Sequence, residues 1–129
     1  MTTPAQRKQL LAAARAVRLR AHAPYSKFRV GAAVLDERGR VHAGCNVENA
    51  SYGLTVCAER NAVAAAVAAG AKRIRAVAVV ADPVATPCGA CRQVLTELGA
   101  PTTEVLLAPP TGKAVSHTLG ALLPHAYTF

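Results

Sequence analysis

The apolar positions change period repeatedly along the chain, and each change marks an element. Over residues 5–20 the Ala-rich stretch places Leu10, Ala14, Val17 and then Ala21 at helical spacing, which predicts an amphipathic helix with that stripe toward the core. Pro24 ends it, because proline disfavours helix at the preceding residue and lacks an amide donor. From Lys27 to Leu35 the period drops to two. Phe28, Val30, Ala32 and Val34 share one side, and Lys27 and Arg29 the other, as in a strand. Asp36-Glu37-Arg38-Gly39 reads as a turn with Gly39 suited to a positive φ, and Arg40 to Asn46 as the antiparallel return strand. A long polar loop then runs past Asn49, Ser51 and Gly53.

Residues 57–69 form a second helix, nearly all Ala and Val after Arg60. So few polar positions predict burial on most sides, either between the sheet and a partner subunit or at the centre of an oligomer; high intrinsic helix propensity alone would also give this composition. Gly70 is placed to cap its C-terminus. Ile74 to Ala81 is a continuous apolar run, as expected of a strand covered on both faces. A third helix over 88–98 stops at Gly99 and Pro101. A strand follows at 104–108, a turn at Pro109-Pro110-Thr111-Gly112, a short strand at 113–116 and a last helical turn or two at 118–123. The order α-β-β-α-β-α-β-β-α predicts an α/β fold: a three-layer α-β-α sandwich around one mixed five-stranded sheet. The helix crossovers should make the middle strands parallel, and the short turns the outer pairs antiparallel. No linker or repeat separates a second unit, so residues 1–129 read as a single domain.

Composition changes this picture little. The chain is 52% hydrophobic and 17% charged, as a globular protein is, and no apolar run reaches membrane-spanning length. The Arg-rich, acid-free first helix has the composition of a transit peptide, yet Pro24-Tyr25-Ser26 and a strand follow at once, so it reads as part of the domain. Four cysteines without a secretory signal suggest a reducing compartment, the cytoplasm, and metal use instead of disulfides. The net charge is +8, and Arg7, Lys8, Arg15, Arg18, Arg20, Lys27 and Arg29 all precede the first acid, Asp36. This basic run is either a solvated face or a surface for an anionic partner such as RNA. With only five aromatic residues, the chain has no aromatic-rich strand on which successive bases would stack, which argues against nucleic acid.

The chemistry concentrates at Cys57-Ala58-Glu59 and Pro87-Cys88-Gly89-Ala90-Cys91. Cys57 and Cys88 each fall at a predicted helix start, where the backbone dipole stabilises thiolate, and Cys91 lies one turn after Cys88. Three thiolates suit tetrahedral zinc with a fourth position open for water, and a carboxylate at Glu59 can move protons. Two other readings are a structural zinc site completed by Cys45 or a histidine, and buried free cysteines. Glu59 also complements its helix dipole. Three thiolates on Zn²⁺ leave one net negative charge, which opposes ionisation of a bound water. Arg60 is the preferred offset, through a hydrogen bond to a ligand sulfur, with Arg92 a second candidate.

Pro24-Tyr25-Ser26-Lys27-Phe28-Arg29-Val30-Gly31-Ala32-Ala33, Gly44-Cys45-Asn46-Val47-Glu48-Asn49-Ala50, Cys57-Ala58-Glu59-Arg60 and Pro87-Cys88-Gly89-Ala90-Cys91-Arg92-Gln93 occur in that order. From about residue 20 to Pro124 the chain resembles the small homotetrameric zinc-dependent cytidine deaminases. The resemblance implies hydrolytic deamination of cytidine and deoxycytidine to uridine and deoxyuridine with release of ammonia, a step of pyrimidine salvage. It implies attack of zinc-bound hydroxide at C4, with Glu59 as proton shuttle and Cys57, Cys88 and Cys91 holding one Zn²⁺ per subunit. It further implies that Asn46 and Glu48 bind the ribose 3′-hydroxyl, that Phe28 lies beside the base and that the Ala58 amide donates to the pyrimidine carbonyl. Tyr52 would reach across a subunit boundary, in a homotetramer whose subunits share active sites. Where the family commonly has a Phe three residues after Pro124, this chain has Tyr127 and ends at Phe129, so either ring is a candidate to cap the base. Competing activities are deamination of a modified cytosine nucleoside such as blasticidin S, or of cytosine in nucleic acid; enzymes of the latter kind usually carry His where Cys57 stands.

Overall fold

The structure, a computed structural model, describes residues 2–129. Helix α1 spans Pro4–Arg18. Its start is fixed by a capping box: the Gln6 amide donates to Thr3 Oγ1 at 3.1 Å and the Thr3 amide to Gln6 Oε1 at 3.0 Å. Strands β1 (Val30–Asp36) and β2 (Val41–Cys45) form a hairpin whose turn has Gly39 at φ 79°. Helix α2 (Ala58–Ala68), strand β3 (Ile74–Ala81), helix α3 (Gly89–Leu98), strands β4 (Glu104–Ala108) and β5 (Val115–Thr118) and helix α4 (Leu119–Leu122) complete the chain. The expected element order holds throughout.

The five strands lie in the order β2-β1-β3-β4-β5. Only β3 and β4 pair in parallel; β1 pairs antiparallel with both β2 and β3, and β4 pairs antiparallel with β5. The expectation of parallel middle strands therefore holds for one crossover. The α2 crossover does set β2 and β3 in the same direction, but β1 sits between them and takes the hydrogen bonds of both.

Alternation along the strands sends two sets of side chains to two faces. Ala32, Val34, Val77, Val79, Val105 and Leu107 pack under α2, α3 and α4 with Ala62, Leu95 and Leu119. Ala33, Leu35, Ala76, Ala78, Val80 and Leu106 pack under α1 with Leu10 and Ala14. Val17 and Ala21, expected on the same stripe, are only half-buried. Two glycines set how closely the helices approach. A Cβ at Gly31 would lie 2.0 Å from the Ala14 carbonyl oxygen of α1, and one at Gly44 would lie 2.4 Å from the Ala62 nitrogen of α2. Both helices rest on bare backbone there.

Three boundaries differ from the periodic reading. β1 begins at Val30, not Lys27, because Lys27 takes a left-handed φ of 62° and breaks the alternation. β5 begins at Val115, not residue 113. The turn before it is longer, with Gly112 at φ 116° and the Arg15 guanidinium bonded to the Pro109 and Gly112 carbonyls at 3.2 and 2.6 Å. Helix α2 is buried along Ala58, Glu59, Ala62, Val63 and Ala66, but Ala64, Ala65, Val67 and Ala68 are exposed. Within one chain, burial on most sides does not hold. The helix closes with a Schellman motif, Ala71 N–H to Ala66 and Gly70 N–H to Val67, with Gly70 at φ 94°. Among the described residues, no helix is long and apolar enough to cross a membrane.

Asp36 does more than turn the hairpin. It is fully buried, and its carboxylate accepts the Arg38 and Arg40 amides at 2.8 and 2.9 Å, the Arg40 Nε at 2.9 Å and pairs with His42 Nε2 at 2.8 Å. Burial alone would raise its pKa, but these hydrogen bonds outweigh it and hold the carboxyl well below its usual range.

Candidate functional site

Cys57 is the N-cap of α2 and Cys88 the N-cap of α3, and neither sulfur is used to cap its helix. Cys91, one turn into α3, is fully buried. The three sulfurs lie within 4.8 Å of one another, with Cys57–Cys88 at 4.0 Å and Cys88–Cys91 at 3.5 Å. A tetrahedral zinc with sulfur at about 2.3 Å requires about 3.8 Å between sulfurs. The trio therefore fits the ion as it stands. Cys45 and the histidines stay outside the cluster, so among the described residues no fourth protein ligand closes it. That removes the structural four-ligand reading and leaves one position for a small ligand.

The protons within the trio are unevenly held. The hydrogen bond with Cys91 lowers the Cys57 pKa, against the effect of burial, and Arg60 adds to the lowering. Cys91 is pushed up by the same hydrogen bond, by burial and by the Glu59 charge. Metal capture therefore takes Cys57 already favoured as thiolate and displaces the proton held on Cys91.

Glu59 follows Cys57 by two residues in the first turn of α2 and is 5% exposed. Burial first, and then the Cys57 charge, raise its pKa. A carboxylate held in that state readily takes up and returns a proton. Ala58, the first residue of the helix, is fully buried, and its amide has no acceptor within the helix.

Arg60 reaches the cluster as expected: its Nη2 lies 3.6 Å from Cys57 Sγ and 3.5 Å from the Thr55 carbonyl. Arg92 does not. Its Nε donates to the Pro87 carbonyl at 2.7 Å and its Nη1 to the Leu122 carbonyl at 2.6 Å, tying the cysteine loop to α4. The guanidinium that follows Cys91 is used on backbone carbonyls and makes no hydrogen bond to a sulfur among the described residues.

Asn46 is buried, and its amide is spent on the segment before β1. Oδ1 accepts the Val30 amide at 2.9 Å, and Nδ2 donates to the Phe28 carbonyl at 2.8 Å. Glu48 accepts the Tyr25 and Ser26 amides at 3.0 and 3.2 Å and the Ser26 hydroxyl. The Ser26 hydroxyl contributes most to lowering its pKa, partly opposed by burial. Residues 25–30 are thus built from two side chains at the end of the neighbouring strand. Phe28 is half-buried and belongs to neither core cluster, so it is not the plain core residue that its strand-like spacing allowed. The positioning roles of Asn46 and Glu48 had no periodic signal; only their place just after a strand could have suggested them.

Tyr52, in a short 3₁₀ turn over Tyr52–Leu54, is 84% exposed, and Tyr127 is 74% exposed. Gln93 Nε2 donates to the Tyr127 carbonyl at 2.9 Å, which ties the tail to α3, whereas Phe129 projects freely.

The family model described as the cytidine and deoxycytidylate deaminase zinc-binding region matches residues 4–107. The chain belongs to that family. It is 49% identical over 125 residues to a cytidine deaminase of Halalkalibacterium halodurans, covering 95% of this chain and 94% of that one. It is 45% identical over 124 residues to a cytidine deaminase of Sporosarcina psychrophila, covering 94% and 90%. A crystal structure of cytidine deaminase from Burkholderia pseudomallei superposes with a TM-score of 0.88 at 50% identity, over 98% of this chain and 100% of that one. Within this family of zinc-binding deaminases, the three cysteines are the only cluster of potential metal donors among the described residues.

Proposed function

We propose that this protein is a single-domain enzyme that hydrolyses the C4 amino group of cytidine and deoxycytidine, giving uridine or deoxyuridine and ammonia. The observation that carries the reading is the buried Glu59 carboxylate beside a three-sulfur cluster with one position left open. Cys57, Cys88 and Cys91 would hold Zn²⁺, which when bound activates water for attack on an electrophilic carbon. Glu59 takes one proton from the attacking water and passes it to N3 of the ring, then moves the remaining proton from the new C4 hydroxyl to the amino nitrogen, so that the C4–N bond breaks, ammonia leaves and the C4 carbonyl forms. Arg60, at Cys57 Sγ, draws charge from that sulfur and so limits its donation to the metal.

Recognition of the nucleoside falls to the segment that Asn46 and Glu48 hold. Asn46 keeps one amide proton, and Glu48 keeps carboxylate lone pairs, for the ribose 3′-hydroxyl. Phe28 would lie beside the base and the Ala58 amide would donate to its carbonyl. The exposed apolar face of α2, together with Tyr52 and Tyr127, supports a homotetramer in which neighbouring subunits complete one another's sites. Four unpaired cysteines favour the cytoplasm. The test is conversion of cytidine, deoxycytidine, cytidine 5′-monophosphate and a cytosine-containing oligonucleotide by zinc-loaded protein. Ammonia release from the two nucleosides supports the reading; turnover of the oligonucleotide alone would replace it.

A further inference from the structure

The basic N-terminal run is not spread evenly over a face. Arg7 is consumed by Glu104, at 2.7 Å, and Arg15 by the Pro109 and Gly112 carbonyls. Arg18, Lys27 and Arg29 instead converge, with His22, on a hollow of about 560 Å³ between the end of α1 and the segment before β1. That volume lies in the range that holds small ligands. No carboxylate lines it, and none of these four side chains forms an ion pair among the described residues. Arg18 Nε is bonded to the Arg29 carbonyl at 3.2 Å, which leaves the outer guanidinium nitrogens for a ligand. Glu48 does not line the hollow and is already occupied by the Tyr25 and Ser26 amides and the Ser26 hydroxyl. Lys27 holds a left-handed φ of 62° that a long side chain rarely adopts, fixed by its amide bond to the Ala23 carbonyl at 3.0 Å. Backbone strain retained at a cluster of like charges is a mark of a functional position.

We propose that this hollow binds a small phosphate-bearing anion, either free phosphate or the phosphate group of a nucleotide. Three positive side chains converge where, among the described residues, no carboxylate pairs with them, and arginine forks match phosphate oxygens in two-point contacts. The hollow adjoins the segment that carries Phe28, so an occupant would stiffen the chain that Asn46 and Glu48 hold from the other direction. The inference does not depend on the deamination reading, because its readout is binding.

The experiment is calorimetric titration of the zinc-loaded full chain at fixed ionic strength, with inorganic phosphate, with adenosine 5′-monophosphate and with adenosine. Adenosine 5′-monophosphate avoids the cytosine chemistry of the zinc site. Saturable binding of phosphate and of the nucleotide, but not of adenosine, is expected; a tighter nucleotide than phosphate would identify the nucleotide as the source. Arg29→Gln and Lys27→Gln should each weaken binding about tenfold, the effect of one charge-assisted contact. Arg29→Lys, which keeps the charge and serves as a check on folding, should retain most of it. Absence of saturable phosphate or nucleotide binding, or equal binding by the Gln variants, would overturn the proposal. So would binding only of a single-stranded oligonucleotide with a steep salt dependence, which would assign the patch to nucleic acid.

Discussion

Replacing Gly44 by alanine tests how the sheet positions helix α2, which carries the proposed proton shuttle Glu59. The added Cβ would lie 2.4 Å from the Ala62 nitrogen, 2.7 Å from the Asn61 carbonyl carbon and 3.0 Å from the Ala58 carbonyl oxygen. All three are backbone atoms of α2, so no side chain can rotate away. Restoring ordinary contact requires the helix to retreat by about 1 Å, and overpacking of this kind costs about 1–3 kcal/mol. The displaced helix carries Cys57 at its N-cap and Glu59 in its first turn, whereas Cys88 and Cys91 belong to α3. A shift of about 1 Å between reacting groups can lower turnover about a hundredfold. Gly31→Ala is the control. Its Cβ would lie 2.0 Å from the Ala14 carbonyl, a harsher clash, but against α1 on the opposite face. Urea unfolding and cytidine turnover per folded, zinc-loaded molecule separate the two variants. Gly44→Ala should lose both stability and turnover, and Gly31→Ala stability alone. Wild-type turnover in Gly44→Ala, or equal catalytic losses in both variants, would refute the argument.

Other perturbations follow from single contacts. Asn46→Ala strips partners from the Val30 amide and the Phe28 carbonyl; it should cost about 2 kcal/mol and raise KM for cytidine more than it lowers kcat, as steady-state kinetics would show. Asp36→Asn should destabilise by about 2–3 kcal/mol at neutral pH, since it weakens a buried ion cluster. The folded-state pKa of Asp36 is depressed, so its contribution is present above the unfolded value and is lost as pH falls toward the folded one; the gap between wild type and variant should narrow below about pH 4 in acid unfolding. Arg92→Ala should loosen α4 from the cysteine loop and increase amide exchange around Leu122 while leaving zinc stoichiometry at one per chain. Light scattering should give a tetramer, and Val67→Glu on the exposed face of α2 should dissociate it.

The periodic parts of the sequence located the elements well. Ile74–Ala81 and Glu104–Ala108 have the bounds expected of continuous apolar runs flanked by turn residues. Pairing was less legible, because a crossover fixes direction but not adjacency, and nothing in β2 or β3 says that β1 lies between them. The cysteines and Glu59 could be read because their chemistry demands particular residue types at short spacing. The supporting contacts could not. Arg60 and Arg92 both follow a cysteine motif, yet one reaches a sulfur and the other two carbonyls. Only the fold of the Leu122 segment over α3 decides that. Lys27 read as a strand residue by alternation because a left-handed φ at a lysine has no sequence signal.

The most direct measurement compares Glu59→Gln with the wild-type chain, reading zinc content and the loss of cytidine absorbance on the same preparations. The substitution keeps the size of the side chain and leaves all three sulfurs in place, while removing the carboxylate proposed to carry protons. The account predicts equal zinc in both proteins, conversion to uridine by the wild type, and a rate lower by at least about a hundredfold in the variant. A variant that holds zinc and deaminates cytidine at the wild-type rate would contradict it.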